Sequence, residues 1–377
     1  MKHQSIKNMS AKQVAFLVIR LLLAVVFIFS GFVKLIDPLG FAYKIEDYLI
    51  AFGSFFVSFT PLALPASIAL STFEMVLGLC LLFRIHIRYT ALFTFLFMCV
   101  MTALTLYTFI ANPVSDCGCF GDAVILSNSA TFYKNVVLLA LTILFLIYAK
   151  QLKSTLSPIK EWGVLAFFVV IGVALSIYCL AYLPLIDFRP YKVGTDIQAA
   201  MSIPDGAKGD VYETTFIYEK DGVQQEFTLE NYPKNDSTWV FVDQKNVLIS
   251  KGDTPAITDF SIFDAYYDDI TYDVLNYDEG NVYLLVMYDV NKASEKGAIY
   301  AEKIYKEAEA RGDMFLALTA SSESDIEMFV RKTGVTYPFF ATDPITLKTI
   351  VRSNPGLLLL NKGKVMDKWS WRELKSK

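Results

Sequence analysis

Residues 14–33 read VAFLVIRLLLAVVFIFSGFV, twenty positions with one charged side chain, Arg20. At about 1.5 Å per residue the stretch is ~30 Å long, the thickness of a bilayer's hydrocarbon core. It is longer than the apolar core of a signal peptide, and no small-x-small cleavage site ends it, so it reads as a retained span. Four further stretches qualify: Leu62–Phe83, Tyr89–Ile110, Phe132–Ala149 and Gly163–Leu183. The average over the 377 residues agrees: 54% are hydrophobic and 19% charged, against about 45–50% and about 25% in soluble domains. The excess is confined to residues 14–183, and charge fills 190–377. This excludes a purely soluble enzyme, a disordered chain and a wholly membrane-buried transporter. A net charge of −4 argues against a nucleic-acid partner. The two histidines, His3 and His86, leave little for a His-rich metal site or a Ser-His-Asp triad.

Lysine and arginine set the expected orientation. Lys2, Lys7 and Lys12 precede the first span, Arg84 and Arg88 follow the second, and Lys150, Lys153 and Lys160 follow the fourth. These segments alternate with the others and are placed in the cytoplasm. The loop from Ala111 to Thr131 carries no Lys or Arg. Five spans from a cytoplasmic N-terminus put everything after Leu183 outside, the arrangement of a bacterial inner-membrane protein with a periplasmic C-terminal part. Pro38 and Gly40 end the first helix, and Phe41, Ile45, Tyr48, Leu49 and Phe52 then recur at helical spacing. That segment reads as a helix in the outer interface or as a lid folded over the bundle.

Glu74 is the one carboxylate deep in a span and requires a partner. Counted along the helices at about 1.5 Å per residue, it lies roughly 13 Å from the inner end of its span and Arg20 roughly 9 Å from the same side. An Arg20–Glu74 pair is therefore expected, holding the bundle together or handling protons or a quinone. Lys34, near the outer end, is too far away without a kink.

Of the five cysteines, Cys117 and Cys119 stand in SDCGCFGD, residues 115–122. On the outer side disulfides persist. Two cysteines one residue apart close a small ring that is readily reduced, which suits a redox pair better than a staple. A two-thiolate Cu(I) site or a tight turn with two small buried residues are the other readings. Asp116 and Asp122 flank the pair and should raise its thiol pKa values, which counts against fast exchange. Cys80, Cys99 and Cys179 read as small hydrophobes, with Cys179 alone placed to approach the loop.

FSGFVKLIDPLGF at 29–41, EMVLG at 74–78 and DCGCFG at 116–121 resemble DoxX-like membrane proteins, most closely the branch of the methylamine utilisation protein MauE, over roughly residues 12–150. The resemblance implies a four-helix inner-membrane bundle associated with redox or disulfide chemistry during protein maturation. A fifth helix, over 151–189, is added here.

Residues 190–250 read as a β-rich leader. Val211–Glu219 and Gln224–Leu229 flank Asp221-Gly222 as a hairpin, Trp239–Val242 and Val247–Ile249 look like a second pair, and Asp205-Gly206 and Lys251-Gly252 mark further turns. From 251 to 377 the pattern is α/β: strands Val282–Tyr288 and Phe315–Thr319 alternate with helices Lys296–Ala310 and Ser324–Lys332, the second capped by Ser324. A hairpin, Leu357–Leu360 with Val365–Trp369, follows. The order resembles the thioredoxin fold. That family keeps a cis-proline before its hairpin, which predicts a cis Pro355 within Ser353–Gly356. Where the family carries Cys-x-x-Cys this chain has Tyr288–Ser294, and no cysteine follows Cys179. The family's catalytic residues therefore do not transfer. Tyr266, Tyr267, Tyr272 and Tyr277 read as core or as contact surface.

The resulting expectation is a membrane thiol–disulfide component acting on extracytoplasmic protein partners through Cys117 and Cys119, with a membrane quinone as a candidate electron partner. The alternative is a non-enzymatic envelope assembly protein whose cysteines lock a loop.

Overall fold

The computed structural model describes residues 10–377 except 115, 153, 155, 204–205, 207–210, 235, 237, 251 and 253. Lys2, His3, Lys7, Lys153, Asp205 and Lys251 thus lie outside the described residues. Helix α1 (Ala11–Ile36) opens with a capping box, Ser10 accepting from the Gln13 amide and Gln13 from that of Ser10. Asp37 ends it and also caps α2 (Pro38–Ala51), with proline in the first turn, where its missing N–H costs nothing. A short α3 (Ser54–Val57) and a 3-10 turn lead into α4 (Ala63–Phe83), followed by α5 (Ile87–Ala111), α6 (Asn128–Ala149) and α7 (Pro158–Ala181). With Thr60–Phe83 counted as one span, five helices among the described residues are long and apolar enough to cross a membrane. Their many exposed Leu, Ile, Val and Phe side chains suit contact with lipid tails.

Helix α4 is the most buried of the five and packs chiefly on α1. Two glycines bring these helices together. A Cβ on Gly31 would stand 2.5 Å from the Met75 amide nitrogen, and one on Gly78 would stand 2.6 Å from that of Ile28. Small residues at such crossings let helix backbones touch in membranes.

After α7, residues 187–191 are fastened to the C-terminal domain: Lys368 Nζ donates to Asp187 Oδ2 at 2.8 Å and Arg189 Nη1 to the Thr349 carbonyl at 3.1 Å. A short α8 (Ile197–Met201) follows. Strands β1 (Val211–Lys220), β2 (Val223–Thr228) and β3 (Val240–Ser250) form an antiparallel sheet in the order β2-β1-β3. Asp221 and Gly222 both take positive φ in the β1–β2 turn, which suits the twist of a two-residue hairpin. Residues 239–249, expected to be two strands, are instead one strand from Val240, paired along β1.

The α/β thioredoxin-like domain comprises a short α9 (Thr271–Leu275), β4 (Val282–Met287), α10 (Glu295–Arg311), β5 (Met314–Thr319), α11 (Glu323–Thr333), β6 (Phe339–Ala341), α12 (Pro344–Ile350), β7 (Gly356–Asn361) and β8 (Lys364–Ser370). Its sheet order is β6-β5-β4-β7-β8, with β4–β5–β6 parallel and β7, β8 antiparallel. Alternate residues of β4 serve two cores. Val282, Leu284 and Val286 pack with α12, and Leu285 and Met287 pack with α10 and α11. A sheet buried on both faces explains why this strand reads as a continuous apolar run. Tyr191 and Ile197, assigned by sequence to the leader, belong to this core. Ser322, not Ser324, caps α11. Tyr266, Tyr267 and Tyr272 are exposed, and Tyr277 packs against the core.

Candidate functional site

The loop between α5 and α6 carries the cysteine pair. Asp116 Oδ1 accepts from the Gly118 amide at 2.8 Å, and Gly118 and Gly121 take positive φ, so the chain doubles back at each glycine. The turn brings the Cys117 and Cys119 sulfurs to 2.7 Å, both buried, at 4% and 8% exposure.

Three elements close around the pair. From α2, Lys44 donates to Asp116 Oδ2 at 2.7 Å and lies over Gly118, while the Tyr48 hydroxyl stands 3.5 Å from the Cys117 carbonyl. From α1, Ser30 Oγ donates to the Cys119 carbonyl at 2.6 Å. From α6, Lys134 Nζ sits 4.2 Å from the Phe120 ring centroid. Beneath Cys119 is a crevice of about 20 Å³, lined in part by Ser30, Lys34, Glu74, Phe97 and Lys134. It has room for a water molecule but not for a quinone ring.

The expected Arg20–Glu74 pair is not formed. Glu74 Oε2 accepts from Lys34 Nζ at 2.7 Å, and Arg20 donates to the Leu81 and Leu82 carbonyls at 2.7 and 2.8 Å. The inner ends of α1 and α4 are not level. The Gly31–Met75 and Gly78–Ile28 approaches bring Lys34 beside Glu74 and leave Arg20 at the end of α4, where carbonyls lack helical partners. Lys34 also donates to Ser30 Oγ at 2.9 Å, so the ion pair is joined to the Cys119 carbonyl through one hydroxyl. Cys179, buried in α7, forms no disulfide and approaches the Leu185 backbone.

The flanking carboxylates do not act as expected. Asp116 is held by Lys44, and Asp122 meets Arg352 Nη2 at 3.3 Å. The hydrogen bond shared with Cys117 pulls the Cys119 thiol below the ordinary thiol value, against burial, with Lys134 and Lys34 assisting. The same bond, with burial, pushes Cys117 up. The two shifts run in opposite directions, so one sulfur of the pair gives up its proton more readily than the other. In the reduced protein, alkylation of Cys119 is expected to rise through a midpoint below the ordinary thiol value near 9. Residue-resolved mass spectrometry of the alkylated loop checks this; a midpoint near 9 contradicts it.

The C-terminal domain sits directly over this loop. Arg352, at the end of α12, places Nε 2.9 Å from Asp37 Oδ2 as well as reaching Asp122. The next residues, Ser353 and Asn354, lead to Pro355, and the Asn354–Pro355 peptide is cis. Asn354 Nδ2 donates to the Asp289 carbonyl at 2.7 Å, joining the proline loop to Tyr288–Ser294. Tyr288 shares a hydrogen bond with Tyr43 of α2. The segment Tyr288–Ser294 therefore rests, through Tyr288, on the protein's own α2. No sequence pattern marked Arg352, Asp37, Lys44 or Tyr43 for this seam; their pairing spans up to 315 residues.

Fold and site together define a multi-pass membrane protein whose cysteine loop lies under a cysteine-free thioredoxin-like domain. Its bundle is MauE-like: residues 12–148 match the family model of the methylamine utilisation protein MauE. Residues 212–251, which span the three-stranded sheet, match a domain of unknown function, DUF8463. Among solved structures, the "solution structure of a putative protein disulfide isomerase from Bacteroides thetaiotaomicron" aligns at 17% identity, covering 32% of this chain and 87% of that one, with a TM-score of 0.25. No curated protein matches.

Proposed function

We propose that the protein is an inner-membrane thiol–disulfide component that exchanges electrons with extracytoplasmic protein thiols through Cys117 and Cys119. The observation that carries this reading is the sulfur pair itself, 2.7 Å apart in a turn shaped by two positive-φ glycines. In the exchange, a client thiolate attacks the Cys117–Cys119 disulfide, forms a mixed disulfide and releases one sulfur of the pair as a thiolate. The client's second thiol then displaces the mixed bond, leaving an oxidised client and a reduced pair. The reverse sequence reduces a client disulfide, and a second dithiol or disulfide partner resets the pair. The positive-inside pattern supports an extracytoplasmic loop and C-terminal domain, on the side where such clients occur. A cleft of about 830 Å³ at the seam, bordered by Tyr43, Lys44, Asp122, Lys348 and Arg352, lies beside the loop and is the approach we assign to the client.

Acid quenching and alkylation in intact cells tests the reading. The pair is expected to be trapped in both redox states, shifting toward the dithiol under reductant challenge. Double Cys117→Ser/Cys119→Ser replacement is expected to abolish function. A pair that stays in one state through growth and challenge, or a fully functional double variant, returns the protein to the assembly-protein alternative.

A further inference from the structure

The two sulfurs have different surroundings. Cys117 lies against α2: the Tyr48 hydroxyl reaches it, and Tyr43, Lys44 and Asp47 of the same helix border the seam cleft. Cys119 lines the crevice inside the bundle, together with Lys134 of α6. Among the described residues no carboxylate pairs with Lys134; its half-buried ammonium rests over the Phe120 ring, 4.2 Å from the centroid. A cation in an apolar span is costly without an anion beside it. The other groups that face Cys119 are already engaged. Lys34 of α1 and Glu74 of α4 hold one another at 2.7 Å, Tyr48 of α2 reaches Cys117, and α5 presents the apolar Phe97, Met98 and Met101. Among the described residues, the charge left without a partner at this crevice is therefore positive and belongs to Lys134.

We propose that Cys117 is the sulfur a client attacks, that Cys119 is the leaving sulfur, and that Lys134 supplies the charge that steadies Cys119 as it leaves. This deepens the exchange reading above and rests on it. A client thiol first gives its proton to the water outside. Its thiolate attacks Cys117: the client–Cys117 bond forms, the Cys117–Cys119 bond breaks, and the electron pair departs on Cys119. At this stage Cys117 has no S–H. The hydrogen bond that does most to lower the Cys119 thiol in the dithiol is then absent, and the cations of the crevice remain, Lys134 foremost. A leaving sulfur that is a weaker base departs faster. The client's second thiol next displaces Cys117, which takes that thiol's proton, and the client departs as a disulfide. Two electrons have entered the pair, one proton rests on Cys117 and one is in the water. Attack at Cys119 instead would need the client to enter a crevice of about 20 Å³, which has room for a water molecule only. Lys134 acts by its charge and bonds neither sulfur, so it is a positioning residue.

The test uses the full-length protein in lipid nanodiscs. In the first arm the oxidised pair meets glutathione, is quenched with acid and is then alkylated. Residue-resolved mass spectrometry is expected to find glutathione on Cys117 and the alkyl group on Cys119. Glutathione on Cys119 in equal or larger share overturns the proposal, and a pair that forms no adduct at all removes the exchange reading and the assignment with it. The second arm reads Cys119 alone, in Cys117→Ala, where no second thiol lends a hydrogen bond. Lys134→Met strands no anion and is expected to raise the pH midpoint of Cys119 alkylation by about one unit or more, the size of shift a nearby opposite charge produces. Lys134→Arg is expected to leave the midpoint where lysine sets it. A merely structural lysine would not move the midpoint, so an unchanged value in Lys134→Met overturns the proposal. The first arm needs no lysine variant, which keeps the assignment open to disproof even where Lys134→Met misfolds. Both arms run without a client. If they succeed while trapping in cells shows a static pair, the exchange reading fails and the roles of the two sulfurs and Lys134 stand.

Discussion

Arg352→Met is expected to unseat the C-terminal domain from the membrane bundle. Arg352 is 8% exposed and is the one cation that meets both Asp37 and Asp122 in the ion pairs of the described residues. Its Nε lies between both Asp37 oxygens, at 3.0 and 2.9 Å, and its Nη1 donates to the Lys348 carbonyl. Methionine fills similar volume but takes the guanidinium away from both carboxylates. The cost is expected to stay below the about 3–5 kcal/mol of breaking a fully buried pair, because the Asp37 and Asp122 side chains are 19% and 39% exposed. The loss should appear as faster proteolysis in residues 182–190 and earlier thermal release of the domain. The pH dependence has a definite sign. Burial raises the Asp122 pKa and Arg352 opposes that rise. Without the guanidinium, the folded form holds the Asp122 proton to higher pH than the unfolded chain does. Stability of the variant therefore falls as pH rises through the carboxylate range and recovers on acidification. A variant as resistant as the wild type at neutral pH contradicts the clamp.

The second large effect is expected from Gly31→Leu. The first side-chain carbon alone would stand 2.5 and 2.8 Å from the Met75 amide nitrogen and Cα, which are helix backbone and cannot swing aside. Helices α1 and α4 must separate, at a cost of roughly 1–3 kcal/mol or more for overpacking. The separation also pulls Lys34 from Glu74, so thermal stability in detergent should drop together with the Cys119 thiolate fraction at pH 7. Loss of stability with an unaltered Cys119 alkylation profile would show that the helix contact and the sulfur site are independent.

The parts of the architecture that were legible in the sequence are those set by local patterns. Hydropathy found five helices, because lipid demands apolar runs of a fixed length. The apolar runs at 282–288 and 315–319, with a helical period between, were enough for the α/β core. Asp221-Gly222 announced its hairpin through the φ values those residues tolerate. Parts set by register were not legible. The partner of Glu74 depends on how far α4 slides along α1, and two glycines decide that slide without leaving any periodic signal. Strand β3 is continuous because its polar middle, Asp243 to Asn246, pairs with β1 on an exposed sheet; the polarity there reads as a turn. The cysteine loop was visible as CGCFG, yet the sign of its electrostatics was not. Asp116 and Asp122 look like repelling charges until Lys44 and Arg352 are brought to them by folding.

Burial of both sulfurs changes what controls their rate. When a reactive pair is covered, the observed rate is the intrinsic rate multiplied by the fraction of time the cover is open. Helix α2 is that cover, held on one side by Lys44–Asp116 and on the other by the Tyr43–Tyr288 contact and the Arg352 clamp. Each weakening of about 1.4 kcal/mol in these contacts admits oxidants and stray thiols about tenfold more often. On the exchange reading proposed above, the cysteine-free domain is then expected to act as a kinetic filter that sets who gains access to the loop, and how often.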